Sequence, residues 1–335
     1  MRALSLLSPG KLSIVDVPEL TGEDGVLLKV EMVGLCGSDL NSYRGNNPMV
    51  SYPRILGHEI AGTVMEGSSL YAPGTRVMVS PYTHCGTCAA CIRGRFNACQ
   101  CNETFGVQRD GALVEWLRVP EDKLYASSKL SLRELCLVEP LTVGFHAIAR
   151  GRVTAQDVVA VYGCGGVGLG AIAGAAFRGA QTIAIDQDEE KLNTAQAAGA
   201  AHILHTKYDD VTARLMELTN GKGPDVIIEA IGLPQTFRAA VEQVAFTGRV
   251  VYIGYAKQPV DYETKLFVQK ELDILGSRNA LPENFREVIA MLESGMFPVA
   301  RTISAVVGME EAPLKFAHWA AQPETVTKIL VRVAE

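Results

Sequence analysis

The middle of the sequence constrains the fold most strongly, because short apolar strands and amphipathic helices alternate there. Strand candidates at residues 158–162 and 182–185 are each followed by a helical pattern, and the alternation continues to about residue 276. Strands that alternate with helices favour a parallel, doubly wound sheet with right-handed crossovers. We therefore expect an α/β unit in this part of the chain.

The first of these strands runs directly into a glycine-rich turn. Residues 163–168 read G-C-G-G-V-G, which fits the pattern G-x-G-x-x-G, and a helical pattern follows. In this pattern the first glycine permits a tight turn, the second lets the backbone approach a pyrophosphate, and the third allows close helix–strand packing. The N-terminus of the helix then stabilises the phosphate charge. With a strand before it and a helix after it, the motif predicts a dinucleotide site rather than an ordinary turn.

An acidic residue, Asp186, ends the next strand. A carboxylate about 20 residues after such glycines usually binds the adenosine ribose hydroxyls. Its charge would repel a 2′-phosphate, and the residues that follow are Gln187 and Asp188 rather than an arginine. The sequence therefore predicts NAD rather than NADP. The residues assigned to cofactor binding are Gly163, Gly165, Gly166, Val167, Gly168 and Asp186.

Four of the eight cysteines lie in one short run with the spacing C-x2-C-x2-C-x7-C. They are Cys85, Cys88, Cys91 and Cys99. Four thiolates this close in sequence suit a tetrahedral zinc ion with no open position, which makes the site structural. A disulfide pair is the alternative, but nothing else in the chain is typical of a secreted protein.

A second set of metal-ligand types is scattered through the first 140 residues. Cys36 lies in G-L-C-G-S-D, His58 and Glu59 lie in G-H-E, and Glu139 lies in E-P-L. Each alone is weak evidence, because a single cysteine or histidine is often a packed or hydrogen-bonded residue. A catalytic zinc needs three protein ligands and an open position, which cysteine, histidine and glutamate together would provide.

Composition excludes several classes of function. The formal net charge is −6 and no basic cluster stands out, so nucleic acid is not an expected partner. The N-terminus lacks a signal-peptide pattern, and charged residues or glycine interrupt the apolar stretches well before membrane-spanning length. We expect no membrane association and a cytoplasmic, reducing location.

These motifs together resemble those of the zinc-dependent medium-chain alcohol and polyol dehydrogenases, and the resemblance covers essentially the whole chain. The motifs are G-L-C-G-S-D at 34–39, G-H-E at 57–59, the cysteine run at 85–99, D-G-A-L-V-E-W at 110–116, E-P-L-T-V-G at 139–144 and G-C-G-G-V-G at 163–168. The resemblance implies an α/β protein with a GroES-like, β-rich catalytic domain and a Rossmann domain, and an active site in the cleft between them. It also implies two zinc ions per subunit, NAD, and a homodimer or homotetramer.

The predicted domain boundaries follow the change in pattern along the chain. Residues 1–147 are predicted to form the GroES-like domain with the structural-zinc lobe, 148–280 the Rossmann domain, and 281–335 a return to the catalytic domain. The short strand candidates near the C-terminus, ending at residues 328–333, support this return.

The resemblance also implies roles for individual residues. Cys36 and His58 match the invariant pair of catalytic zinc ligands. Glu59 and Glu139 both match positions used near the zinc in polyol-type members, and the third ligand stays open between them. Ser38 matches the hydroxyl that receives the substrate proton. Asp39 matches an acid that orients the histidine ligand, a role with clear physical value.

One position departs from the family pattern. Many relatives carry a histidine five residues after the zinc cysteine, at the outer end of a proton relay, whereas this chain has Asn41. An asparagine amide does not accept a proton at neutral pH, so the relay is predicted to end in water or the cofactor ribose. Tyr43 is a candidate for positioning substrate.

Within the family, the chain looks closest to sugar-acid dehydrogenases of the starvation-sensing and L-galactonate type and to the sorbitol branch. A sugar acid needs a cation for its carboxylate, and arginine favours a bidentate grip. The substrate-binding candidates are Arg54, Arg109, Arg278 and Asn279. The alternatives are a neutral polyol, an amino alcohol or a simple secondary alcohol as substrate, or a non-catalytic NAD-binding sensor.

Overall fold

The structure is a computed structural model that describes residues 1–22, 24–323 and 326–334. The chain divides into two compact units, one of residues 1–139 with 302–335 and one of residues 140–301. The boundaries predicted at residues 147 and 280 both fall inside the second unit. Two features account for this difference. An unbroken helix, Leu132–Arg150, runs through the first boundary with Pro140 inside it, so no turn signal marks the division.

The second boundary lies later than predicted because the segment after residue 280 is bound to the second unit. The guanidinium of Arg178 donates to the carboxylate of Glu287 at 2.8 and 2.9 Å. The ring of His146 lies 3.0 Å from the side-chain oxygen of Asn284, and both residues are buried. The helix that carries Asn284 and Glu287 therefore belongs to the second unit.

The first unit begins with β-rich sequence. Its elements are β1 (Arg2–Ser8), β2 (Lys11–Asp16), β3 (Val26–Leu35), α1 (Gly37–Tyr43), β4 (Arg54–Ile55), β5 (Glu59–Glu66), β6 (Arg76–Val79), α2 (Ala89–Ile92), β7 (Trp116–Val119) and β8 (Leu124–Ala126), with 3-10 turns at Phe96–Ala98 and Glu121–Lys123. Helix α3 (Leu132–Arg150) begins in this unit and continues into the second. Strands β2, β1 and β4 form a three-stranded antiparallel sheet.

The second unit contains the predicted alternation of strands and helices. Its elements are β9 (Val158–Tyr162), α4 (Gly166–Phe177), β10 (Gln181–Asp186), α5 (Glu189–Ala197), β11 (His202–His205), α6 (Val211–Leu218), β12 (Val226–Glu229), α7 (Pro234–Gln243), β13 (Arg249–Tyr252), α8 (Lys265–Gln269), β14 (Asp273–Gly276), α9 (Pro282–Glu293) and α10 (Val299–Thr302). The sheet is parallel in the order β11-β10-β9-β12-β13-β14. This is the Rossmann order, and ligands bind such sheets outside the carboxyl ends of the strands where the order reverses.

The chain then returns to the first unit through β15 (Ala305–Gly308), α11 (Ala312–Ala321) and β16 (Ile329–Arg332). These strands complete a seven-stranded sheet in the order β15-β16-β3-β5-β6-β8, with β7 also paired to β3. The return to strands at the C-terminus predicted from the sequence is present, although it begins later than residue 281. The predicted doubly wound parallel sheet and the predicted β-rich first unit are both present.

Strand β3 sets the position of the site residues in the first unit. Its side chains alternate between buried and half-buried in its first half and are all buried near its end. Antiparallel pairing aligns Gly34 with Glu59 on β5 and Leu35 with Ile329 on β16. Because the side-chain period of a strand is two residues, this register fixes which groups meet at the end of β3.

Within the described residues, no helix is both long enough and apolar enough to span a membrane.

A surface turn near β8 depends on one carboxylate. Glu121 accepts hydrogen bonds from the hydroxyls of Ser68 and Ser69 at 2.6 and 2.8 Å and from the backbone N–H groups of Ser69 and Leu70 at 2.6 and 2.9 Å. These donors, the Ser68 hydroxyl first, lower the pKa of Glu121 to about 2. The folded state therefore favours the ionised carboxylate more than the unfolded chain does.

We predict that Glu121→Gln lowers stability above about pH 5 and loses this effect as the pH falls towards 2. An unfolded glutamate has a pKa near 4.3, so the contribution of a carboxylate with a lowered folded pKa disappears between the two values. Urea unfolding of wild type and variant between pH 3 and 7 measures the difference. Asp122→Asn, next to Glu121 and paired with Lys123, is the matched control. A difference between wild type and Glu121→Gln that stays constant with pH would contradict the assignment.

Candidate active site and metal centres

The glycine-rich turn lies at the carboxyl end of β9, in the centre of the parallel sheet. Gly163 has a φ of +95°, a conformation that side chains other than glycine rarely adopt. A Cβ atom on Gly168 would lie 1.7 Å from the carbonyl oxygen of Gly163, so the first turn of α4 packs against the strand end at a distance that only glycine allows.

The opposite side of this turn is open. A Cβ atom on Gly165 or Gly166 would meet no atom within 4 Å, and no side chain caps the helix at Gly165. The N–H groups of the first helical turn have no partner within an α-helix. A helix start with free N–H groups and room above its backbone fits a pyrophosphate group. Val167 is half-buried in this first turn.

Asp186 ends β10, beside the glycine-rich turn. Its Oδ2 accepts the N–H of Cys164 at 2.8 Å, and its Oδ1 accepts the N–H groups of Gln187 and Asp188 at 2.7 and 3.1 Å. The carboxylate is therefore held against the turn by three backbone donors. It places a fixed negative charge where the sequence predicts the adenosine ribose.

The four cysteines of the lobe converge as predicted. All four sulfur atoms lie within 4.8 Å of one another, and three of the pairs, Cys88–Cys91, Cys85–Cys99 and Cys88–Cys99, are 3.5, 3.6 and 3.9 Å apart. A tetrahedral zinc with Zn–S bonds of 2.3 Å requires sulfur atoms about 3.8 Å apart. A disulfide bond would require about 2.05 Å, so the thiols are not paired with one another.

The lobe backbone also favours thiolates. The N–H groups of Cys88 and Cys101 donate to the sulfurs of Cys85 and Cys99 at 3.4 and 3.3 Å. Backbone N–H groups, that of Thr87 first, lower the pKa of Cys85 to about 5. Thiolates are the form that binds zinc, so the donor set and its geometry fit a structural zinc ion.

The second cluster forms where β3 ends and β5 begins. Cys36 follows β3 and caps the N-terminus of α1, His58 precedes β5, and Glu59 is its first residue. One ligand atom from each of the three lies within 4.8 Å of the other two. Cys36 is half-buried, whereas His58 and Glu59 are buried. Sulfur, nitrogen and oxygen donors gathered in this way fit a catalytic zinc ion.

Two buried polar atoms in this cluster are unsatisfied within the described part of the chain. His58 Nδ1 and Glu59 Oε2 have no hydrogen-bond partner there. Burial opposes a charged His58, yet the negative charges of Asp39, Cys36 and Glu139 raise its pKa well above the ordinary value. The cluster therefore has a negative field and, in Glu59 Oε2, an unpaired oxygen donor, as expected where a cation binds. His58 Nδ1 faces Asp39 instead.

Asp39 connects the two ligand-bearing segments. Its Oδ2 accepts the N–H of Cys36 at 2.8 Å, and its Oδ1 lies 3.7 Å from His58 Nδ1, an ion-pair contact longer than a hydrogen bond. Asp39 is buried, and burial raises its pKa. The carboxylate lies on the side of the ring predicted for an orienting acid.

Glu139 lies in α3 and is buried, but it is not among the three residues whose ligand atoms converge. Its Oε1 accepts a hydrogen bond from the hydroxyl of Tyr82. Burial raises the pKa of Glu139, and burial together with the charge of Glu139 raises the pKa of Tyr82 well above its usual range. Of the two glutamates, Glu59 is the one whose carboxylate converges with Cys36 and His58.

Two residues near this cluster, Tyr82 and Lys328, were not predicted from the sequence. Tyr82 hydrogen-bonds Glu139, and Lys328 is a buried lysine whose ammonium donates to Glu59. Lys328 carries a weak signal, since it is a charged residue at the start of an apolar strand. Tyr82 carries none, because nothing in its neighbourhood indicates which carboxylate it contacts.

The remaining candidates in the first unit have different surroundings. Ser38 lies in the first turn of α1, and its buried Oγ has no hydrogen-bond partner in the described ranges. Asn41 is exposed. The ring of Tyr43 stacks on Phe316 with centroids 5.4 Å apart, so it packs against the core.

The candidate substrate residues fall in both units. In the first, Arg54 pairs with Asp110 at 3.0 Å and donates to the Ser51 hydroxyl at 2.7 Å. Arg109 lies over the ring of Phe105, with its Cζ 3.8 Å from the centroid. In the second, Arg278 and Asn279 are half-buried and follow β14.

Two family models match this chain. Residues 22–129 match the alcohol dehydrogenase GroES-like domain, and residues 166–294 match the zinc-binding dehydrogenase domain. Both candidate metal clusters described above lie within the first unit, and the glycine-rich turn begins just before the second match.

Characterised and uncharacterised relatives align over most of the chain. A zinc-type alcohol dehydrogenase-like protein of Haemophilus influenzae is 35% identical, covering 98% of each chain. Sorbitol dehydrogenase of Bacillus subtilis is 34% identical, covering 90% of this chain and 88% of the relative. L-Galactonate-5-dehydrogenase of Escherichia coli is 32% identical, covering 82% of each.

Solved structures with bound nucleotides have the same fold. The rspB protein of Escherichia coli CFT073 in complex with NADH superimposes with a TM-score of 0.90 at 27% identity, covering 99% of each chain. A zinc-binding dehydrogenase of Sinorhizobium meliloti bound to NADP superimposes with a TM-score of 0.89 at 30% identity, covering 99% of this chain and 98% of that one.

We predict that Cys88→Ser removes one equivalent of zinc and lowers the melting temperature, because a structural zinc site contributes directly to folding energy. Zinc content by mass spectrometry and thermal unfolding measure the two effects. Cys101→Ser replaces an exposed thiol outside the converging four and is the matched control. Unchanged zinc content in Cys88→Ser would refute the structural site.

Proposed function

This chain belongs to the family of zinc-type alcohol dehydrogenases, and from that premise we propose that it oxidises a secondary alcohol of a sugar acid, such as L-galactonate or L-gulonate, with NAD. Enzymes of this family are NAD(P)-dependent oxidoreductases that use zinc. The observation that carries the proposed reaction type is the convergence of Cys36, His58 and Glu59 beside the Ser38 segment, which combines a zinc donor set with a proton acceptor.

Cys36, His58 and one glutamate would hold the catalytic metal, and the glycine-rich turn with Asp186 would hold the nucleotide. When bound, zinc supplies a positive charge that lowers the pKa of a substrate hydroxyl, and NAD supplies the acceptor for the hydride. The protein contributes the position of the substrate relative to both groups, which itself supplies part of the rate.

Ser38 would receive the proton from the substrate hydroxyl. Its Oγ is buried and unpartnered in the described parts of the chain, so it can both accept and donate a hydrogen bond. A serine passes a proton on rather than keeping it. Because Asn41 replaces the histidine expected at the outer end of the relay, the next acceptor would be water or a ribose hydroxyl of the cofactor.

Arg109 is the arginine best suited to a substrate carboxylate. The buried Nε of each arginine has no hydrogen-bond partner in the described ranges, but Arg54 is already paired with Asp110, whereas Arg109 contacts the Phe105 ring. The loop that carries Arg109 packs beside the segment before His58, since the N–H of Gly111 donates to the Ile55 carbonyl at 2.8 Å. Burial lowers the pKa of Arg109, but a guanidinium stays charged at neutral pH.

A neutral polyol is the second candidate substrate. The similarity to the sorbitol dehydrogenase of Bacillus subtilis supports it. In that case the substrate would need only hydroxyl-binding groups, and Arg109 would keep a packing role on Phe105.

The deciding experiment measures NADH formation by the zinc-loaded protein on sugar acids and matched neutral polyols. Oxidation of L-galactonate or L-gulonate without oxidation of the matching polyol supports the proposal, and polyol oxidation alone supports the second candidate. Cys36→Ser should abolish turnover while leaving NAD binding, measured by fluorescence titration, nearly intact. Activity of Cys36→Ser equal to that of wild type would refute the metal mechanism.

In the same assay, Arg109→Met should raise the KM for the sugar acid about 10- to 100-fold, because a hydrogen bond to a charged group contributes about 1.5–3 kcal/mol. The KM for any neutral alcohol that is oxidised should change much less. Arg54→Met, which removes a paired arginine on the same surface, is the matched control. An equal loss for acid and neutral substrates would assign Arg109 to packing.

We predict that Asp186→Asn shifts cofactor preference towards NADP by at least about 10-fold in the ratio of kcat/KM values, because one charge repulsion is then removed. The amide oxygen can still accept the N–H of Cys164, but the amide NH2 cannot accept those of Gln187 and Asp188, so NAD affinity is measured as well. Asp188→Asn, which neutralises the adjacent helix-capping acid, is the control. An unchanged ratio in Asp186→Asn would show that other residues select the cofactor.

A further inference from the structure

A buried lysine lies beside the proposed catalytic metal centre. Lys328 immediately precedes β16, whose first residue pairs with Leu35 at the end of β3. Its relative exposure is 4%, and Glu59 is fully buried. A lysine is rarely buried to this extent unless its ammonium is paired.

The ammonium of Lys328 contacts both segments that carry metal-ligand residues. Nζ donates to the carbonyl oxygen of Leu35 at 3.1 Å and to Oε1 of Glu59. Leu35 immediately precedes Cys36, and Glu59 immediately follows His58. The ammonium of Lys328 therefore connects the backbone just before Cys36 to the side chain just after His58.

This contact makes the two oxygens of Glu59 unequal. Oε1 is held by Lys328, whereas Oε2 is buried and has no hydrogen-bond partner among the residues that the structure describes. The carboxylate also packs directly on Gly34, where an added Cβ atom would lie 2.0 Å from Oε2. With one oxygen bonded and the other against the backbone, the carboxylate has little freedom to rotate.

Ion pairing alone is a weak reason to bury these charges. The desolvation of two buried ions often exceeds their mutual attraction, and well-packed apolar side chains of similar size are frequently as stable or more so. Glu59 belongs to the cluster whose ligand atoms converge, so the position of the pair is better explained by an effect on the metal ligands.

We propose that Lys328 is a positioning residue of the catalytic metal centre, which fixes Glu59 so that Oε1 is occupied and only Oε2 remains as a donor towards the metal. This inference rests on the metal centre of the proposed function. The family resemblance described above assigned no role to Lys328. Hydrogen-bonded partners of metal ligands typically change metal affinity 10- to 100-fold when they are removed.

The test measures metal affinity and the visible spectrum of the cobalt-substituted protein. Lys328→Met should weaken cobalt binding at the catalytic centre about 10- to 100-fold in competition with a chelator, and should shift the absorption bands of that centre. Bands that disappear in Cys36→Ser belong to this centre, whereas bands that remain belong to the four-cysteine lobe. The lobe bands should not change. Lys11→Met, at an exposed position on β2, is the matched control.

A double variant shows whether Lys328 acts through Glu59. In a Glu59→Gln background, Lys328→Met should cause no additional change in cobalt affinity or spectrum. Three outcomes would each overturn the proposal. They are an equal effect in both backgrounds, an unchanged cobalt affinity in Lys328→Met, and a tighter cobalt affinity in Lys328→Met, which loss of a repelling positive charge alone would produce. If Lys328→Met does not fold, Lys328→Leu, which also lacks an N–H donor, takes its place under the same criteria.

These readouts separate the inference from the proposed function. Failure to oxidise any substrate, with cobalt affinity lowered in Lys328→Met, would contradict only the proposed reaction. Normal oxidation, with cobalt affinity unchanged in Lys328→Met, would contradict only the role of Lys328. If Cys36→Ser leaves every cobalt band unchanged, the metal centre itself is absent and both are overturned.

Discussion

The burial of charge at the end of β3 is the constraint on which the first unit depends. Two carboxylates, Asp39 and Glu59, the ammonium of Lys328 and the imidazole of His58 are almost wholly withdrawn from water. Removing one partner of a buried ion pair typically costs about 3–5 kcal/mol, so each charge requires the others. The β3–β5 and β3–β16 registers meet this requirement, because they bring residues distant in sequence to the same point.

The second unit depends on a different constraint, the close approach of backbone to backbone. Gly168 packs against the carbonyl of Gly163 at a distance that leaves no room for a Cβ atom, and the turn before it has a positive φ. Asp186 then accepts an N–H from the same turn. These contacts hold the carboxyl ends of β9 and β10 in one arrangement. The first turn of α4 is left open on the side where a nucleotide phosphate would bind.

The two metal clusters differ in how much of their geometry is local. The lobe cysteines lie within 15 residues of one another, and short turns bring their sulfurs together without help from distant strands. The second cluster joins Cys36 to residues 58 and 59 through the sheet and receives Lys328 from the C-terminal segment. A structural zinc site can therefore be predicted from spacing alone. The outer contacts of a catalytic site depend on strand pairing that spacing does not encode.

The sequence by itself determined the parallel α/β unit, the glycine-rich turn, the cysteine lobe and the family, because each rests on a local pattern of apolar residues, glycines or cysteines. Only the tertiary structure decided that Glu59 and not Glu139 belongs to the group whose ligand atoms converge with Cys36 and His58, that Tyr82 contacts Glu139, and that Arg54 is already paired. It also moved the unit boundaries to residues 139 and 301. The physical reason is that side-chain pairing and domain membership depend on long-range register and packing, whereas local patterns report only the conformation of their own segment.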